Sequence, residues 1–131
     1  SRETVLFDVS QLRDGGSRPQ ALQRLPQGEA VRIHALPGHA VEIKLGRHAF
    51  TLVNDNGWAL CDASRNRKAL SDRQNTIGRG SENDITLGSE FRNVSRRHLI
   101  AEPADDQVIL LTDISSHGTF APALQTERRV G

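Results

Sequence analysis

Side chains able to hold an anion gather in three short blocks between Thr76 and Phe120. The first reads Thr-Ile-Gly-Arg-Gly-Ser-Glu-Asn-Asp-Ile-Thr-Leu and carries Gly78-Arg79. The second, Val-Ser-Arg-Arg-His-Leu, carries Ser95, Arg96, Arg97 and His98. The third, Asp-Ile-Ser-Ser-His-Gly-Thr-Phe, carries Ser116, His117, Gly118 and Thr119. Arginine offers a planar fork of donors that matches phosphate or carboxylate, and serine adds a hydroxyl donor. Alone, Arg79 would read as a strand-end surface charge, and Ser95 and Ser116 as ordinary loop serines. Together they read as convergent anion donors.

Other chemistries fit the residues poorly. Gly78-Arg79-Gly80 lacks the Gly-Lys-Ser/Thr ending of a nucleotide-binding phosphate loop. His34, His39, His48, His98 and His117 show no metal-ligand spacing, so neither metal nor cofactor is expected. Asp113, Ser116 and His117 supply the residue types of a hydrolase triad. They are crowded into five consecutive positions, whereas triads are assembled from separate segments. The chain is therefore expected not to be an enzyme. Asn93-Val94-Ser95 fits a glycosylation sequon, which matters only in a secreted protein.

The three ordered blocks, with Asn83-Asp84-Ile85 between the first two, resemble the forkhead-associated (FHA) domain. That resemblance implies an all-β, two-sheet β-sandwich of the FHA/SMAD-like type that binds phosphothreonine peptides. By the family's pattern Arg79, Ser95 and Arg96 hold the phosphate, and Ser116 and His117 complete the site. His98 braces the loops, Arg97 points away, and Gly78, Gly118 and Thr119 belong to the structural motif. The family most often has Asn where this chain has His117. Residues flanking the phosphothreonine are read by the loop Glu90 to Asn93 and the loop after Phe120. The implied partner is a Thr-phosphorylated protein or a Ser/Thr kinase. The alternative is a phosphate-independent interaction or oligomerisation module on the same sandwich.

Elements must position those blocks, and 131 residues suffice for one domain with a buried core. A net charge of +1 argues against bulk electrostatic binding to nucleic acid or an anionic membrane. Fifteen of the seventeen basic residues are Arg, through GC-rich coding or through anion binding. Cys61 is the one cysteine, which excludes an internal disulfide and suggests a reduced, cytoplasmic setting. No apolar run is long enough to span a bilayer.

Period-2 alternation dominates from Ala30 onward: Val31, Ile33 and Ala35, then Val41, Ile43 and Leu45, then Phe50 and Leu52. Pro37-Gly38 and Asn54-Asp55-Asn56-Gly57 are turns. Further strands are expected at Trp58–Leu60, near Ala69-Leu70, and at 76–79, 84–87, 99–102 and 108–113. Residues 1–29 read as an N-terminal arm and a Gly/Pro-containing linker, and 30–131 as the sandwich. Only eleven residues follow Phe120, too few for the two strands that usually end the family's domain. Residues 30–53 are expected either to supply those closing strands, in permuted order within a monomer or in a strand-exchanged dimer, or to be an N-terminal extension on a truncated domain. Without them a sheet edge and the core would be exposed.

Overall fold

The computed structural model describes residues 21–123 and the backbone of 126–128, and in them the chain is two six-stranded sheets packed face to face. In spatial order the first sheet holds Leu22–Arg24 (β1), Thr119–Pro122 (β11), His39–Leu45 (β3), His48–Asn54 (β4), Trp58–Asp62 (β5) and Arg67–Ala69 (β6). The second holds Thr126–Arg128 (β12), Ala30–His34 (β2), Val108–Asp113 (β10), Leu99–Pro103 (β9), Asn75–Gly78 (β7) and Ile85–Thr86 (β8). Neighbours pair antiparallel except β7 with β8, which run parallel. The expected all-β sandwich is what the chain forms.

Alternation in the sequence becomes the core directly. Val41, Ile43 and Leu45 point inward from β3, while Ala40, Glu42 and Lys44 face solvent. Phe50 and Leu52 do the same from β4, and Val31 and Ile33 from β2. They meet Leu60, Ile77, Leu99, Ile109 and Leu111 in one buried cluster. Each fully buried aliphatic contributes about 1.5–3 kcal/mol, so losing the strands of residues 30–53 would dismantle the core.

The segment 30–53 pairs with the sandwich within a single chain. β2 lies against β10 over five residue pairs, and β3 lies against β11 at Thr119↔Leu45 and Phe120↔Lys44. Strands that precede the motif blocks thus sit beside strands that follow them. Exchange between chains is not needed to close the sheets. The residues after Phe120 finish β11 and add β12 along β2.

One boundary differs from expectation. The arm and linker assigned to 1–29 lie outside the described residues up to 20, but 22–28 are built into the sandwich. β1 pairs with β11, Leu25 is buried, and the Gly28 N–H donates to the Asp113 carbonyl at 2.7 Å. The reason is topological. β1 and β2 belong to different sheets, so Pro26 and Gly28 serve a tight crossing between layers rather than a slack tether.

Candidate functional site

Loops 79–84, 88–98 and 114–118 converge at one end of the sandwich. They enclose a cleft of about 350 Å³ lined by Arg79, Asn93, Val94, Ser95, Arg96, Ser116 and His117. All five residues expected in a phosphopeptide site therefore line one cleft. Arg97 is exposed and lies outside this lining.

Backbone pairing beyond β7 sets the first side of the cleft. The Arg79 N–H donates to the Ser95 carbonyl and the Gly80 N–H to the Arg96 carbonyl, both at 3.0 Å. Gly78 permits this approach, because a β-carbon there would stand 2.2 Å from the Arg96 carbonyl oxygen. Asn83 ties the same strands by donating from Nδ2 to the carbonyls of Gly80 and Arg96, at 2.7 and 2.6 Å. Arg79 donates from Nε to the Val94 carbonyl at 2.5 Å, which steers its exposed guanidinium along the cleft. Arg96 reaches Glu82 at 3.1 Å in an exposed ion pair.

His98 connects the second and third loops. It is fully buried; its Nδ1 accepts from the Ser95 N–H at 3.0 Å and its Nε2 lies 2.9 Å from the Gly118 carbonyl. The carbonyl contact requires the proton on Nε2 and the Ser95 N–H requires a lone pair on Nδ1, so the ring is neutral. Burial lowers its pKa from the ordinary 6.5, opposed by the Gly118 hydrogen bond and the nearby Asp113 charge. His98 thus joins the second loop to the third.

Ser95 Oγ accepts the Ser116 N–H at 3.1 Å, which leaves its hydroxyl proton available to a ligand. Below the third loop, buried Asp113 accepts from the hydroxyls of Ser115 and Thr119, and Ser115 Oγ accepts the Gly118 N–H at 2.7 Å. Thr119 is thus part of the scaffold. Gly118 itself takes φ +94°.

Sequence reasoning missed the contribution of the β3–β4 turn. Gly46 donates its N–H to the Gly118 carbonyl at 2.8 Å. His48 Nε2 lies 2.6 Å from the Arg92 carbonyl, and Phe91 packs edge-on against His48 and tilted against Phe50, at 5.3 and 5.2 Å. The loop read as flank-recognising is therefore held by the N-terminal hairpin. Gly46 has φ +63°, and a β-carbon there would lie 2.9 Å from the Asn93 carbonyl oxygen. Gly46→Val should cost about 2 kcal/mol of stability and shift Asn93 out of place. Urea unfolding checks this, with Gly38→Val as a strained turn that has no neighbouring atom within 4 Å.

Among the described residues there is no cluster of three or more His, Cys, Asp or Glu able to hold a metal ion, and no helix long and apolar enough to cross a membrane. Residues 75–129 match the family model described as FHA domain. No curated protein and no solved structure matched the chain. The match begins at β7, although residues 22–70 occupy places in the first sheet and β2 in the second. Over residues 75–129 the chain is similar to the FHA domain, a family of phosphopeptide-binding and protein-interaction modules that is not an enzyme family.

Proposed function

We propose that the chain binds threonine-phosphorylated proteins in the cleft at Arg79, Ser95, Arg96, Ser116 and His117, downstream of a Ser/Thr kinase. The observation that carries this reading is the convergence of five donor-bearing side chains from three separate loops on one cleft. A phosphothreonine brings about −1.5 to −2 charge and three strong acceptors. The free end of the Arg79 guanidinium supplies a fork, Ser95 a hydroxyl, and Arg96 a second cation. The Arg96–Glu82 pair is too exposed to resist, since such pairs contribute at most about 1 kcal/mol. A phosphate dianion takes Arg96 from Glu82.

The reading favours threonine over serine because the γ-methyl adds apolar area beside the phosphate; Val94, between Asn93 and Ser95, is the apolar residue of the lining and is itself buried in the core. One buried carbon is worth about 0.8 kcal/mol, or roughly a fourfold preference from burial alone. Fluorescence anisotropy with matched phosphothreonine, phosphoserine and unphosphorylated peptides tests the reading. Phosphothreonine should bind at least about fourfold tighter than phosphoserine, and the unphosphorylated peptide should not bind. Equal binding of all three would refute the proposed function.

A further inference from the structure

The outer face of the first sheet carries a cationic row that starts beside the cleft. Its register sets Arg24, Phe120, Lys44 and Ala49 side by side across β1, β11, β3 and β4. Alternation requires it: Thr119 and Ala121 are buried, so Phe120 faces out, and Lys44 does likewise between Ile43 and Leu45. Arg24 and Lys44 are exposed, and Phe120 is half-buried.

Two contacts join the row to the site. A β-carbon on Gly118, the residue after His117, would stand 2.8 Å from Arg24 Nε and 3.2 Å from the Phe120 ring. The Gly46-Arg47 turn bonds to Gly118 as well, and Arg47 is exposed at its tip. Among the described residues, Arg24, Lys44 and Arg47 form no ion pair. The one carboxylate in the adjoining row is Glu42, opposite Thr51.

We infer that this row binds the acidic flank of the phosphothreonine peptide, an assignment that rests on the proposed function. A peptide leaving the cleft across Gly118 meets Arg24 and Lys44 on either side of an aromatic surface. The two cations are two strand spacings apart, roughly 10 Å, the length of about three extended residues. Carboxylates spaced over that distance on one side of the phosphothreonine match both cations. Arg24 and Lys44 come from strands outside the family match, so the preference belongs to this chain's own N-terminal strands.

The test compares phosphothreonine peptides with neutral flanks and with Asp residues on one side or the other, in 0.15 M salt. Exposed pairs are weak individually, so two or three together should give about a fivefold gain for the correctly placed flank. In Arg24→Gln/Lys44→Gln the ratio of acidic to neutral affinity should fall to about one, with thermal unfolding confirming the fold. Equal affinity for acidic and neutral peptides overturns the inference and leaves phosphothreonine binding standing. So does an equal gain from Asp on either side, which marks long-range attraction, or a ratio that survives in the variant. Failure of every phosphopeptide to bind overturns this inference together with the proposed function.

Discussion

Arg79→Ala is expected to weaken phosphothreonine-peptide binding by at least about 100-fold while leaving the sandwich folded. Hydrogen bonds to a charged group are worth about 1.5–3 kcal/mol each, and a guanidinium fork supplies two. The remaining donors cannot replace them. Ser95 has one hydroxyl proton to give, and Arg96 begins from its contact with Glu82. The side chain is exposed and its one bond among the described residues is Nε to the Val94 carbonyl, so stability should change by less than about 1 kcal/mol. Arg97→Ala is the matched control, an exposed arginine two residues from Ser95 that does not line the cleft. Anisotropy titrations of both variants beside thermal unfolding decide the matter. Unchanged affinity in Arg79→Ala would move the interaction to another face of the sandwich and favour the phosphate-independent alternative.

That expectation was reachable from residue types, because Arg79, Ser95 and Ser116 carry their chemistry in their side chains and stand in ordered blocks. The inward faces of β2, β3 and β4 were equally legible, since Val, Ile and Leu at every second position leave one way for a strand to face its core. Chain order carried less information. Residues 22–28 look slack by composition, and only the two-layer arrangement shows that Pro26 and Gly28 form a crossing. Gly46 and His48 were hidden for a related reason. They act on Asn93 and Arg92, more than forty positions away, through backbone carbonyls that leave no trace in the distant sequence. Asn83 lay inside a recognised block, but its two bonds to Gly80 and Arg96 depend on β7 and the second loop meeting. Which side chains could offer donors to a ligand was legible, whereas what they do to one another's backbone needed the fold.

His98→Ala should be the most destabilising change in the site, although His98 itself lies outside the cleft lining. Removing the ring orphans the Ser95 N–H and the Gly118 carbonyl and leaves a cavity where nothing is exposed. Each orphan costs about 1–3 kcal/mol, and with the cavity the total is about 3–5 kcal/mol. That is a large fraction of the stability of a small domain and corresponds to a Tm fall of roughly 15 °C. The effect should also depend on pH, with a sign set by burial. The folded ring is held neutral with its pKa below 6.5, while the unfolded ring titrates near 6.5. Above that value both states are neutral, and the full contribution is present. As pH falls through 6.5 the unfolded chain takes up the proton first, so stability drains away until the folded pKa is reached. The stability difference between wild type and His98→Ala, measured by urea unfolding, should therefore be larger at pH 7.5 than at pH 5.5. A difference that stays constant across that range would mean the ring is not held neutral, and the bridge from Ser95 to Gly118 would need another donor assignment.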